Sequence, residues 1–327
     1  MTPKVHCVFG DTMYIDNRDW GLYNQRLVNR GRIVTIFLKE NVLNWKGELD
    51  RMNRGKRGSP YEYPNTIIWI GFGIKCLFHL GYRQLQGFME GVCAFLNFSI
   101  PDFRTFWWRV NSMEKQGIRF NPIPKNRRIN IAIDSTGLKL VNDGEYRKKK
   151  YKKIKNWAKF HAAIHEGTQE ALNIIITKDN VGDCREFGSL LDPFADILNK
   201  VDADGAYDTN NAFEYCKEHG IYPGIPVKSN ASLKGLGARR DAIGEQFGVP
   251  KRFGRPPNWV RRLSYEYKKN KQDEWRKNTN HGDRWGVEGF YSRFKRQFGE
   301  YVFSRKPGNV EKEIIAKTNL LNFYITS

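Results

Sequence analysis

Along this 327-residue chain the spacing of apolar positions first changes from a helical period to a period of two near residue 129. Before that point, the stretch from Thr66 to Val110 predicts three helices. The first covers about residues 66–79. The second covers 82–92 and puts Leu85, Phe88, Met89 and Val92 on one face. The third covers 102–110, just after Pro101, where a helix start tolerates proline. Three short helices with tight turns suit a helix-turn-helix, the last carrying Arg104 and Arg109, and equally a plain helical subdomain.

After Ser112–Arg128, which reads as an interdomain linker, Ile129-Asn-Ile-Ala-Ile-Asp134 alternates as a strand with its isoleucines on one face. The apolar parity flips near Gly137, which predicts a bulge or turn there. Residues 160–164 and 171–177 predict two more strands joined by a Glu-Gly turn, 184–198 an amphipathic helix, and 201–205 a short buried strand. A helix over 210–219 and a strand over 221–228 follow. The order β-β-β-α-β-α-β is that of an α/β domain with a mixed sheet. The organisation is therefore an N-terminal arm and basic linker (1–65, with 53–60 as the flexible part), a helical region (66–125) and an α/β domain (126–327). That last domain contains a basic, aromatic-interleaved insertion at about 233–280. Residues 33–45 fit a short helix or a strand pair.

Charge changes the picture. The formal net charge is +20, and such a field favours a polyanion, nucleic acid before anionic membrane. The longest apolar run, Thr66 to Leu80, is interrupted by Lys75 and His79, so no membrane segment is expected, and the N-terminus lacks an apolar signal core. Five scattered cysteines without a CxxC pair read as reduced, mostly buried thiols in an intracellular protein. The densest basic run, residues 147–155, includes Lys148, Lys149, Lys150, Lys152 and Lys153 and suits a DNA-tracking loop or hairpin beside Asp134.

The candidate chemistry centres on His281-Gly-Asp-Arg-Trp-Gly-Val-Glu-Gly-Phe-Tyr-Ser-Arg-Phe-Lys295. Wound as a helix at about 100° per residue, it brings Arg284, Glu288 and Lys295 within about 40° of one another, with His281 on the same side. Val287, Tyr291, Phe294 and Phe298 fill the adjoining arc that docks on a core. By itself such a helix is a solvated salt-bridge ladder. Two further acids alter that reading. Asp134 ends the first strand and Asp204 the fourth, and in α/β sheets strand ends are where ligands gather. Three converging carboxylates need a cation, and hard oxygen ligands select Mg²⁺ or Mn²⁺. Two such ions would activate a water or 3′-hydroxyl at a phosphodiester. Asp202 shares strand parity with Asp204, but Asp204 is nearer the strand end.

These blocks resemble the DDE transposases of prokaryotic insertion sequences. Ile131-Ala-Ile-Asp-Ser-Thr-Gly-Leu-Lys139 is similar to the block around the family's first Asp, and Asp202-Ala-Asp-Gly-Ala-Tyr-Asp208 to the second, which again selects Asp204. Arg284-(3)-Glu288-(6)-Lys295 matches the Y-(2)-R-(3)-E-(6)-K signature, with His281 in the Tyr place. Leu27-Val-Asn-Arg-Gly31 and Tyr82-Arg-Gln-Leu-Gln-Gly-Phe88 resemble the family's front half, so the likeness spans nearly the whole chain.

The resemblance implies a ribonuclease-H-like core preceded by a mainly helical DNA-binding domain. It implies metal-bound Asp134, Asp204 and Glu288, DNA contacts from Arg284, Lys295 and His281, and no covalent enzyme–DNA intermediate. The activity implied is binding of the element's terminal inverted repeats, cleavage of the DNA ends and strand transfer into target DNA. The setting implied is the prokaryotic cytoplasm, on the nucleoid, with a homodimer in the synaptic complex. Two other readings keep the same residues: a metal-dependent nuclease without strand transfer, and a catalytically silent, transposase-derived DNA-binding protein.

Overall fold

The computed structural model describes residues 6–9, 12–15, 19–32, 44–94, 99–115, 128–140, 157–226 and 273–326. The lysine run at 147–155, most of the 233–280 insertion and residues 33–43 lie outside them. The chain forms two compact units, Met1–Val110 with Thr326–Ser327, and Asn111–Ile325. Among the described residues no helix is long and apolar enough to cross a membrane.

In the first unit an antiparallel hairpin, β1 (His6–Phe9) and β2 (Thr12–Ile15), precedes helices Trp20–Gly31 and Trp45–Asn53, none of which the apolar spacing predicts. The basic segment read as a flexible linker is instead a closed turn. The Asn53 side chain donates to Tyr61 O (3.0 Å) and accepts from Tyr61 N (2.7 Å), with Gly55 and Gly58 at positive φ inside the loop. The three expected helices are Asn65–Leu77, Tyr82–Cys93 and Phe103–Ser112. Gly71 lets the first and third meet closely, since a Cβ there would stand 2.4 Å from the Phe106 ring. The first turn, residues 78–81, is tight. The Phe103 helix begins on Asp102, whose Oδ1 accepts from Thr105 N at 2.7 Å, and is tied back by Gln86, which accepts from Phe103 N at 2.9 Å.

The second unit is built on a six-stranded mixed sheet of order β5-β4-β3-β6-β7, with β8 also on β3. Its strands are β3 (Ile129–Leu140), β4 (Trp157–His165), β5 (Ala171–Lys178), β6 (Leu198–Asp202), β7 (Tyr222–Gly224) and β8 (Tyr301–Val302). The first three are antiparallel, while β6, β7 and β8 join in parallel, which gives the ribonuclease-H-like order. The bulge expected near Gly137 is absent: the β3–β4 register runs unbroken from Ile131 to Lys139. The parity flips because β3 is covered on both faces. Ile129, Ile131 and Ile133 enter a core with Phe187, Leu190, Val201, Tyr207 and Phe213. On the opposite face Thr136 pairs with Phe160, whose ring packs on Tyr291 and Phe294. Gly137 makes room for Trp157, whose ring atom would lie 2.6 Å from a Cβ there.

The helix expected over 184–198 is broken into a 3₁₀ turn (Asp183–Glu186), a short helix (Phe187–Leu191) and a second 3₁₀ turn (Asp192–Ile197). Pro193 removes a donor there and disfavours continuation. The strand expected over 201–205 lies at Leu198–Asp202, and the last strand shrinks to Tyr222–Gly224. Helix Asn210–Glu218 starts on Thr209, whose hydroxyl caps Ala212 N. Gly299, at φ +75°, ends helix Trp285–Phe298, its N–H donating to Lys295 O at 2.8 Å.

The C-terminal helix Pro307–Thr326, unforeseen from the sequence, closes the sheet with buried polar groups. Asn322 mimics a strand neighbour for Ala171, accepting from its N (2.8 Å) and donating to its O (2.7 Å). Glu313 and Lys317, both about 1% exposed, pair at 2.8 Å. Lys317 donates to Tyr301 O (3.0 Å), and Glu313 accepts from Phe303 N and Ser304 N. Burial pushes the Glu313 carboxyl up, but Lys317 and the two amides outweigh it and hold it below its ordinary value. Removing one partner strands a charge, so Lys317→Met is expected to cost about 3–5 kcal/mol of unfolding free energy, read from urea midpoints. The double variant with Glu313→Gln should recover part of that loss.

Candidate active site

β3 changes partner where the first acid stands. Its ladder with β6 ends at Ala132 and that with β8 begins at Lys139, so among the described residues this edge of β3 is open from Ile133 to Leu138. Adjacent parallel strands that part company form the crevice where α/β sheets receive ligands. Asp134 lies in that interval. Its Oδ1 accepts from Ser135 N (2.8 Å), and its Oδ2 stands 3.4 Å from Arg284 Nη1. The same guanidinium reaches Glu288, Nη2 to Oε1 at 2.5 Å, so Arg284 bridges the first and third candidate acids.

Burial pushes the Asp134 carboxyl up to about 6, against the pull of Ser135 N–H and Arg284, and the charges of Asp204 and Asp183 push in the same direction as burial. Asp204 is therefore within electrostatic reach of Asp134. It sits past the end of β6, not on it as the sequence spacing predicted. There it caps the 3₁₀ turn Gly205–Tyr207 by accepting from Ala206 N at 2.7 Å. The Tyr207 hydroxyl is buried and, among the described residues, has no hydrogen-bond partner. Burial, then Asp183, Asp134 and Asp204, raise its pKa, which places an orphaned polar atom among three carboxylates.

Glu288 lies in the first turn of helix Trp285–Phe298, with a largely exposed side chain. The continuous helix expected from His281 is interrupted: residues 281–284 form a 3₁₀ turn ahead of helix Trp285–Phe298. His281 is buried, its ring 5.3 Å from that of Trp275. Docking of the Glu288 helix rests on Tyr291, read from the sequence as merely apolar. Its buried hydroxyl lies 2.7 Å from Asp134 O and 3.1 Å from Phe160 O, fixing the helix to the backbone of the first acid. Lys295 is half-buried on the same helix and enters no ion pair among the described residues. A cleft of about 660 Å³ beside Glu288 is lined by Arg276, Lys277, Asn280, His281, Arg284 and the exposed Trp285.

The sequence reading missed Asp183. Its Oδ1 accepts from Ser135 Oγ (2.5 Å) and from Lys159 Nζ (2.8 Å), and His161 Nδ1 stands 3.6 Å away. His161 is fully buried, and burial lowers its pKa to about 4. No local signal in Gly-Asp-Cys-Arg-Glu marked Asp183, because its neighbours come from β3 and β4. Arg104 is exposed on helix Phe103–Ser112. Arg109, expected to contact DNA, is 4% exposed; its guanidinium donates to Tyr63 O (3.1 Å) and Asn65 Oδ1 (2.5 Å) and stacks over Tyr61. That is a structural role, because the third helix turns this residue inward. Among the described residues no three acid, histidine or cysteine side chains form a ready-made metal cage.

The class these features define is an α/β, ribonuclease-H-like protein with acids and an arginine at the open edge of its first core strand. A family profile described as "Transposase DDE domain" matches residues 125–323, and a second of the same description matches residues 28–143. The chain belongs to the DDE transposase family, enzymes that cut and join DNA and generally use divalent metal ions. Among solved structures it is similar to the piggyBac transposase in a synaptic complex with hairpin DNA. The identity is 12% and the TM-score 0.42, over 88% of this chain and 72% of that one. It is also similar to a simian T-cell lymphotropic virus intasome in complex with the PP2A regulatory subunit B56 gamma. There the identity is 12% and the TM-score 0.22, over 62% and 66% of the two chains.

A second half-buried acid, Glu166, is pushed up to about 8 by burial and by Asp202. Asp134 and Glu166 both lie above their ordinary values of 3.8 and 4.5, so the folded protein holds protons that the unfolded chain has released. The stability they contribute is complete below about pH 4 and is lost as pH rises through about 6 for Asp134 and about 8 for Glu166. Urea midpoints of metal-free protein should therefore decline across that window, and Glu166→Gln should flatten the decline above pH 6.

Proposed function

We propose that this chain is an insertion-sequence transposase that binds the element's terminal inverted repeats, cleaves the DNA ends and transfers the 3′-hydroxyl ends into target DNA. The observation that carries the proposal is the bridging of Asp134 and Glu288 by Arg284 at the open edge of β3, with Asp204 close enough to raise the Asp134 pKa. The donors fit a hard divalent cation: three carboxylates and the orphaned Tyr207 hydroxyl, all oxygen. Two Mg²⁺ or Mn²⁺ ions held by Asp134, Asp204 and Glu288 would activate water or a 3′-hydroxyl and neutralise the leaving oxygen of a phosphodiester.

The chain's own residues supply the rest. Asp134, Asp204 and Glu288 would hold the ions as carboxylates, so metal binding would be favoured above the raised pKa of Asp134, about 6. Arg284, released from the two carboxylates, and Lys295 face the DNA phosphate. The +20 net charge supplies the long-range attraction, and Arg104 with Lys148, Lys149, Lys150, Lys152 and Lys153 adds phosphate contacts. His281 and Arg109, being buried, are left out of that set. Assembly as a homodimer on two ends, and a setting in the prokaryotic cytoplasm on the nucleoid, complete the reading.

The test is Mg²⁺-dependent cleavage and joining on DNA carrying the element's ends. Asp134→Asn, Asp204→Asn and Glu288→Gln should each lower the cleavage rate by about 10²–10³-fold or more, the scale at least of losing one preorganised electrostatic contact, with DNA affinity retained. Asp202→Asn should leave a measurable reaction. Cutting without joining would reduce the protein to a nuclease, and no cutting by the wild type would reduce it to a DNA-binding derivative. Neutralising three lysines of the 147–155 run should lower the log–log salt slope of DNA affinity by about 0.9 per lost contact while sequence preference survives. An unchanged slope would leave that run as a solvated face.

A further inference from the structure

One buried polar cluster lies outside the proposed catalytic set. Asp202, the last residue of β6, is fully buried, and room for its carboxylate exists because its β7 neighbour is Gly224: a Cβ there would stand 1.8 Å from Oδ1. Lys200 Nζ donates to Asp202 Oδ2 (2.6 Å) and to Thr279 O (2.7 Å). His281 Nδ1 faces Asp202 Oδ1 at 3.6 Å, and among the described residues neither atom has another hydrogen-bond partner. A shift of a few tenths of an ångström closes that bond. One strand end thus grips the chain at Thr279 and at His281, on both sides of Asn280, whose φ is +50°. Asp204 follows the grip by two residues on one side, and Arg284 and Glu288 follow it by three and seven on the other.

We propose that His281 and Asp202 are positioning residues, whose imidazole–carboxylate contact, braced by Lys200, fixes the separation between Asp204 and the Arg284–Glu288 turn. The inference rests on the reading of Asp134, Asp204 and Glu288 as the catalytic acids. It explains why a histidine at the Tyr place of the signature faces inward. A phenol of ordinary pKa donates a neutral hydrogen bond, whereas an imidazole ring offers the buried carboxylate a donor that becomes cationic when protonated. Burial pushes the Asp202 carboxyl up, but the facing His281 and Glu166 and the bonded Lys200 outweigh it and leave it below its ordinary value.

The experiment compares His281→Phe and His281→Gln in the full-length chain. Three quantities are read: Mn²⁺ affinity without DNA, by electron paramagnetic resonance; the Kd for end DNA; and the single-turnover cleavage rate. Removing an outer-shell partner typically costs about 10–100-fold in metal affinity or activity. The Phe variant should lose that much in both Mn²⁺ affinity and rate, with the DNA Kd within about twofold, and the Gln variant, which keeps a donor, should recover most of it. If the Phe variant does not fold, Asp202→Asn gives the same readouts and should show the same loss. Wild-type Mn²⁺ affinity and rate in the folded variants would overturn the proposal. So would a weakened DNA Kd with Mn²⁺ affinity intact, which would make His281 a DNA contact. An active Asp204→Asn instead overturns the catalytic set itself, whereas a dead Asp204→Asn beside a fully active His281→Phe overturns only this inference.

Discussion

The second unit is arranged around the cost of burying one carboxyl. Asp134 sits where burial raises its pKa to about 6, and the Ser135 amide and the Arg284 guanidinium favour its charged form. Each of these requires something else to be in place. Arg284 arrives from 150 residues downstream and is held by the helix that follows it. That helix is fixed to β3 by the Tyr291 hydroxyl on the carbonyl of Asp134 itself, and by the Phe160, Tyr291 and Phe294 rings. The open edge of β3 exists because β6 leaves at Ala132 and β8 joins only at Lys139. Sheet topology, helix docking and electrostatics thus meet at one side chain.

Among the described residues, two buried ion pairs hold backbone beside the sheet. Lys200–Asp202 grips the entry to the Glu288 helix, and Glu313–Lys317 grips the segment around β8. In each case the charged groups also satisfy backbone donors or carbonyls, which compensates their removal from water. Asp204 lies two residues beyond the first grip, and Lys139, beside β8, is five residues from Asp134 on the same strand. The structural charges therefore frame the candidate catalytic ones.

Much of the fold was legible because the responsible signals are local. Helices Asn65–Leu77, Tyr82–Cys93 and Asn210–Glu218 follow from apolar spacing, and β3, β4 and β5 from period two. The failures were also physical. The parity flip at Gly137 looked like a bulge because a strand covered on both faces has no single apolar parity. The 184–198 segment kept helical spacing while Pro193 and tertiary packing broke it into 3₁₀ turns. Helix Pro307–Thr326 escaped notice because its buried face carries Glu313, Lys317 and Asn322, which read as solvent-facing until their partners are known.

The sequence by itself determined the residue types and the order of elements: an acid after a run of isoleucines, an acid before Gly-Ala-Tyr, and Arg, Glu and Lys at helical spacing, in a chain of net charge +20. Those properties depend on neighbours within a few residues, so they can be read along the chain. Only the tertiary structure decided which charges face which. It turned Arg109 and His281 inward, placed Asp204 beyond its strand, set Arg284 between Asp134 and Glu288, and brought Asp183 to Ser135. The reason is that the free energy of a charge depends on its burial and on partners brought from distant parts of the chain, and neither is a function of sequence spacing.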